Sequence, residues 1–426
     1  MNGDFWWWVG VAALFVFGTI AGRFCNRCVD RFERCELTGR GLREQLQSAL
    51  FPEAYERTLW SAQRWFHHLP VIGRWLPGNP YRVQHWKSEA RRTVVELLDG
   101  LLCVAVYWAD TQWTPQPMTS GASVCLSPGG WRVACLVIGH VVLVQGLVIA
   151  TFIDLSSMLI PDGSTVPFAL FGVIFALLSG GTLLVPLYYY DPSIAAALGW
   201  SRGDPFAIGD LVVPTLLCPW PHLHALLASI AGIIAGAGVV WIVRIVGHWG
   251  LNREAMGFGD VMLMGMVGAF LGWQPVLAVF FVAPVFALAF VAVKLVLSAV
   301  CVLFRLPFRF DHEIPFGPWL SLGAIAMIVA WPLIWPAAER IFLLGPLLLP
   351  MAVAITAILA VLLRGMRLLK QLAGIDEDWL ELEAWSSADQ LQYDASRREQ
   401  PGLRCEPPGD NWSLSRHNRR WRGKNT

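Results

Sequence analysis

The sequence predicts an all-α polytopic membrane protein, with about nine transmembrane helices and a small cytoplasmic domain between the first and second. Three observations carry that expectation. Of 426 residues, 55% are hydrophobic and only 15% charged, whereas a soluble protein carries about a quarter of its residues charged. The apolar residues gather in runs long enough for a helix to cross hydrocarbon. Lysine and arginine collect in alternate connections between those runs, as basic segments retained on the cytoplasmic side do.

The expected spans are 5–21, 94–109, 133–153, 166–188, 225–243, 261–273, 276–303, 316–335 and 341–363. The first follows Asp4 rather than a basic segment, so it is read as a retained span and not a cleaved signal. The second is marked as unusual by Glu96 and Asp99, and the sixth by its shortness. Trp6 to Trp8, Trp108, Trp131, Trp241, Trp273 and Trp335 stand near span ends, where aromatic rings anchor in the interface. The chain thus divides into a first helix at 1–23, a cytoplasmic domain at 24–93 and a transmembrane core at 94–335. An additional helix follows at 336–363, and then a cytoplasmic tail at 364–426 that has few aliphatic residues after Leu391 and is expected to be disordered. The connection 191–222 is long and proline-bearing, an external cap or a poorly ordered loop.

The segment 24–93 holds the densest run of arginine, from Arg27 to Arg91, and is therefore placed in the cytoplasm. Alternation then puts the N-terminus outside and the C-terminus inside. Asp154 closes the third span and Asp260 opens the sixth, so both fall at cytoplasmic helix ends. With 32 basic and 31 acidic residues, net charge predicts no nucleic-acid partner. The nine cysteines are scattered, several within apolar runs, and outline no disulfide framework.

Ionisable groups at membrane depth are costly and point to function. The candidates are Glu96, Asp99, His140, Asp154, Asp162, Asp260 and Lys294. His140, alone on an apolar helix, is read as a hydrogen-bonded interior residue rather than a ligand. Lys294 can snorkel to the cytoplasmic end of its helix. Asp162 follows Pro161, which stops simple continuation of helix, and can serve as a cap. Asp260 follows Gly257 and Gly259; taken alone, this is an N-cap aspartate after a flexible turn. Two facing carboxylates, however, share a proton, because like charges at close range cannot both ionise. The charged member activates water and the neutral one polarises a carbonyl, which is aspartyl-protease chemistry. Glycines beside one aspartate let an extended substrate backbone approach.

In order along the chain, several stretches resemble the type IV prepilin leader peptidases, the bacterial branch of the GxGD membrane aspartyl proteases. Gly22-Arg23-Phe24-Cys25-Asn26-Arg27-Cys28-Val29-Asp30-Arg31 is similar to that family's GSFLNVVIxR, and Leu69-Pro70-Val71-Ile72-Gly73-Arg74-Trp75-Leu76 to its IPxxSYLxL. Val95-Glu96-Leu97-Leu98-Asp99-Gly100 resembles VELLTG, and Ile314-Pro315-Phe316-Gly317-Pro318 matches IPFGP. Asp154 with Ile160-Pro161-Asp162, and Gly257-Phe258-Gly259-Asp260, resemble the two catalytic motifs. The resemblance implies Asp154 and Asp260 as the catalytic pair, with Asp162, Gly257 and Gly259 in support. It implies removal of a short basic leader from prepilin or pseudopilin precursors at the cytoplasmic face of the bacterial inner membrane.

Many members of that family also methylate the new N-terminus, which makes S-adenosylmethionine the implied cofactor where methylation is retained; proteolysis needs none. Glu96 belongs either to that second site or to packing, and packing is the favoured reading. Many members carry two CxxC pairs for zinc. Here only Cys25, Cys28 and Cys35 fall nearby, with His67 or His68 needed to complete a site, so zinc is not expected. The family's lysine two residues after the GxGD aspartate is Met262. Two rival readings are an ion-coupled transporter, disfavoured because both aspartates lie at one face and no internal repeat is visible, and a non-catalytic scaffold of a secretion machine.

Overall fold

The structure, a computed structural model, describes residues 2–37, 41–51, 70–72, 86–112, 129–180, 184–185, 187, 207–208, 211–212, 220–251, 256–303, 315–344 and 347–372. Their regular structure is helical apart from one antiparallel pair of two-residue strands, β1 (Ala207–Ile208) and β2 (Leu211–Val212), within the long connection. The helices are α1 (Asn2–Leu37), α2 (Leu42–Leu50), α3 (Trp86–Gln112), α4 (Gly129–Ser157), α5 (Asp162–Ser179), α6 (Pro221–Leu251), α7 (Phe258–Leu271), α8 (Trp273–Leu303), α9 (Gly317–Val329), α10 (Trp331–Phe342) and α11 (Leu348–Leu372). His67, His68, the stretch from Gly73 to Leu76 and the tail beyond 372 lie outside the described residues.

Each expected span coincides with a helix or a helix pair, and the exact count of nine is not confirmed. Six helices among the described residues are long and apolar enough to cross a membrane, or seven if one bent pair is a single span. The bent pair replaces the expected span 316–335: α9 and α10 meet at 100°. Pro332 stands in the first turn of α10 and has no N–H with which to continue α9, so the helix breaks at Ala330. The residues at 341–342 finish α10, and the last span starts instead at Leu348. The fourth span ends earlier than hydropathy suggests, at Ser179, because Gly180 takes a left-handed conformation (φ 62°) as a C-cap.

The charged second span, α3, is not among the six, yet it runs antiparallel to α1 through a sustained close contact. At one end a Cβ on Gly22 would lie 2.8 Å from the Cα of Glu96, and further along one on Gly18 would lie 2.8 Å from the Cα of Gly100. At the other end the Trp7 indole N–H donates to the Thr111 hydroxyl at 3.4 Å, and Trp7 stacks on Tyr107. Small residues let the two backbones approach, the usual basis of helix association in lipid.

The sixth span, α7, has only 14 residues and is about 21 Å long at 1.5 Å per residue, short of the roughly 30 Å hydrocarbon core. It survives by being enclosed: nearly all its side chains from Asp260 to Leu271 are buried. Its closest neighbour is α6. A Cβ on Gly268 would lie 2.0 Å from the carbonyl oxygen of Gly232, and one on Gly232 would lie 1.9 Å from that of Gly268. Ser229 adds a hydroxyl hydrogen bond to the Ala269 carbonyl at 2.7 Å. The core around α7 is built from Leu143, Leu147 and Ile153 of α4, Leu263, Met264 and Met266 of α7, and Leu320 and Met327 of α9, all fully buried. Outward faces of α6, α8 and α11 carry large exposed aliphatic residues such as Ile234, Leu288 and Val361, the surface that lipid would cover.

Candidate active site

Three helix ends converge at one end of this bundle. The first is the last turn of α4, which carries Asp154. Its carbonyl accepts the Met158 N–H at 2.9 Å, and Met158 turns left-handed (φ 56°), so the helix stops one turn beyond the aspartate. Ser156 fastens this end to α1: its hydroxyl donates to the buried Glu33 carboxylate at 3.0 Å. Pro161 then stands as N-cap of α5 with extended backbone (φ −72°, ψ 147°), as proline requires.

The second end is the start of α7, where Gly257 is the N-cap and Asp260 lies in the first turn. The third is the start of α9. There the Gly317 N–H, one of the donors a helix leaves unsatisfied at its beginning, donates to Oδ2 of Asp154 at 2.9 Å.

The residue around which these ends assemble is Ile160. A Cβ on Gly259 would sit 2.7 Å from the Ile160 Cβ, and a Cβ on Gly317 would sit 3.0 Å from its Cδ1 and 2.6 Å from Oδ2 of Asp154. Both glycines are therefore required sterically, one on each side of the isoleucine. Asp154 and Asp260 are 5% and 8% exposed, and the helix ends that carry them meet around Ile160.

The other sequence candidates take different places. Asp162 is exposed on the first turn of α5. Gly257 is exposed, and a Cβ there would make only ordinary contact, 3.9 Å from Oδ2 of Asp260. Glu96, fully buried, belongs to a separate cluster between α1 and α3: Arg23 approaches it at 3.5 Å and the Val71 N–H donates to it at 2.6 Å. Asp99 is also fully buried and accepts from the Gln145 amide at 2.8 Å. The Gln145 carbonyl oxygen in turn accepts from the Cys25 thiol at 3.1 Å. Cys25, Cys28 and Cys35 are all buried, and among the described residues no three His, Cys, Asp or Glu side chains gather as a metal site requires. His140 is an interior hydrogen-bonding residue as read, its Nδ1 2.9 Å from the Asp110 carboxylate.

Sequence reasoning did not see Ile160, the Gly317 N–H or the Glu33–Ser156 contact as parts of the site. Gly317 and Ile160 each had a signal, in the matched Pro-Phe-Gly-Pro and Ile160-Pro161-Asp162 stretches.

Comparison with known proteins agrees with the motif reading. The chain is similar to a prepilin leader peptidase/N-methyltransferase of Aeromonas hydrophila, 28% identical over 266 residues, covering 61% of this chain and 66% of that protein. It is 24% identical over 334 residues to the protein of the same description from Pectobacterium carotovorum subsp. carotovorum, covering 75% of this chain and 92% of that one. With the one from Escherichia coli (strain K12) it is 30% identical over 109 residues, covering 24% and 43%. The chain thus spans 66% of the length of the Aeromonas relative and less of the Escherichia coli one. No solved structure matches. Residues 141–292, which hold both aspartates and run from within α4 through most of α8, match the model of the type IV leader peptidase family.

Proposed function

We propose that this chain is a membrane aspartic endopeptidase that removes the short basic leader from type IV prepilin-like precursors at the cytoplasmic face of the bacterial inner membrane. The observation that carries the reading is that Asp154 and Asp260 are both nearly buried at helix ends that meet around Ile160, with Oδ2 of Asp154 held by the Gly317 N–H at 2.9 Å. In this reading the two carboxyls share one proton. The ionised member takes a proton from water, and the protonated member donates to the scissile carbonyl oxygen; that proton balance is restored when the amine leaves. The Gly317 donor fixes one oxygen of Asp154 and so orients the other toward the water. Gly257, exposed ahead of Asp260, leaves room for an extended backbone to approach. Asp162, exposed at the mouth of the same loop, is secondary. The proposed topology has the N-terminus outside and the C-terminus in the cytoplasm.

The relatives' description also names N-methyltransferase activity. S-adenosylmethionine presents a positive sulfonium, which acidic groups, carbonyl oxygens or aromatic faces can meet. Glu96 is fully buried and engaged by Arg23 and the Val71 N–H, which supports packing as its role, and no methyl-transfer step is routed through it. The test is to express the chain with a prepilin-like precursor in cells lacking other such peptidases and to determine the mass of the precursor's N-terminus. Loss of the leader supports the reading, and a mass higher by one methyl group adds the second activity. A precursor that keeps its leader contradicts the proposal.

A further inference from the structure

The loop that places Ile160 between the two glycines ends at α5, and that helix has an unusual start. Its N-cap is Pro161, which offers no side-chain acceptor, so the amide N–H groups of the first turn must find partners elsewhere. The Ser164 N–H turns back to the Pro161 carbonyl at 2.9 Å. The Gly163 N–H instead donates to Oε1 of Gln45, a residue of α2, at 2.8 Å.

Gln45 is 1% exposed, so this acceptor has been taken fully out of water, which is unfavourable unless the partner is specific. Glycine at 163 makes the approach possible: a Cβ there would lie 2.7 Å from Oε1 of Gln45 and 3.3 Å from the Phe32 ring. The short helix that carries Gln45 is itself anchored. The Arg31 guanidinium, 4% exposed, donates to the carbonyls of Ser48 and, at 3.3 Å, Phe51. The Cys35 thiol adds a contact with the Ser48 hydroxyl at 3.6 Å. A rigid path therefore runs from the cytoplasmic end of α1 through α2 and Gln45 to the first turn of α5, three residues after Ile160.

We infer that Gln45 is a positioning residue for the aspartate pair: it caps α5 from a different element and thereby holds the 159–161 loop in the register at which Ile160 separates the glycines beside Asp154 and Asp260. The inference rests on the peptidase reading above. Gln45 touches neither aspartate nor substrate, so its effect falls on the geometry of the chemical step and not on precursor binding.

The experiment uses the full chain in lipid vesicles with a prepilin-like precursor, following leader removal by wild type, Gln45→Met, Gln45→Glu, Gly163→Ala and the Gln45→Met/Gly163→Ala double variant. Methionine keeps the length and loses the acceptor. Glutamate keeps an acceptor oxygen. For Gln45→Met, kcat should fall about tenfold with KM within about twofold of wild type, the effect of a small misplacement of reacting groups. Gln45→Glu should recover most of that loss. Gly163→Ala should lower kcat similarly, and the double variant should be no worse than the poorer single, because the two act through one contact. A thermal unfolding midpoint for each variant separates the effect from simple loss of folded protein. If Gln45→Met does not accumulate, Gly163→Ala and Gln45→Glu carry the same comparison.

Wild-type kcat in Gln45→Met or in Gly163→Ala, a Gln45→Glu variant as slow as Gln45→Met, or additive losses in the double variant would overturn the inference. A wild-type chain that leaves the precursor intact defeats the peptidase reading instead, and the two failures are thus distinguishable.

Discussion

The backbone N–H of Gly317 donates to Oδ2 of Asp154 at 2.9 Å, joining the start of α9 to the end of α4. A side chain at 317 cannot coexist with that bond, since its Cβ would lie 2.6 Å from the same oxygen. Gly317→Ala should therefore displace the carboxyl and lower kcat by about a hundredfold, the scale of a misplacement near 1 Å. Single-turnover cleavage of a precursor measures it; activity within a few-fold of wild type would show that the bond does not position Asp154.

Gly259→Ala makes a different clash, against the Cβ of Ile160 at 2.7 Å. Because valine carries that same Cβ, Ile160→Val should fail to rescue Gly259→Ala. Recovery of cleavage in the double variant would mean that the bulk of Ile160, and not the approach of its backbone, limits the site.

Glycines of α6 and α7 can be told apart by what surrounds them. Gly268→Ala forces a methyl against the Gly232 carbonyl and should destabilise the protein by about 1–3 kcal/mol, as overpacking does. Gly238 has nothing within 4 Å of its would-be Cβ, and alanine there should be neutral or stabilising by up to about 1 kcal/mol from helix propensity. Thermal midpoints in one detergent compare the two; equal shifts would argue against the close α6–α7 contact.

Far from the aspartates, Asp110 and His140 form a buried pair at 2.9 Å. Asp110→Ala leaves a buried imidazole without that partner and should cost about 1–3 kcal/mol. Replacing both residues by apolar ones, Asp110→Leu with His140→Phe, should cost less than the single change. A double variant less stable than Asp110→Ala would contradict a purely structural pair, and leader removal should be unaffected in both.

Hydropathy located the helices well because lipid-facing and core residues are both apolar along α4, α6 and α8. It could not say which of them are full spans. The shortness of α7 is compensated by backbone contact with α6 through Gly232 and Gly268, and glycine adds little to a hydropathy sum. The break at Ala330 follows from Pro332, which stands within an apolar run and does not interrupt it.

The site was legible to the extent that it is made of charges. Asp154 and Asp260 stand out because ionisable groups are costly at that depth. The groups that hold them do not stand out. Gly317 acts through its backbone, Ile160 through shape, and Gln45 is one polar residue among several on a short amphipathic helix. Glu96, Asp99 and His140 share the charge signal with the aspartates, yet they sit in other polar clusters. Depth alone could not rank them.

The most direct test of the central claim is leader removal by Asp154→Asn and Asp260→Asn, each reconstituted in lipid beside wild type and matched for folded protein. Asparagine keeps the shape of each side chain and abolishes the shared proton. Neither variant should release the leader on the timescale over which wild type completes the reaction. Cleavage at the wild-type rate by either one would contradict an aspartate pair as the catalytic centre.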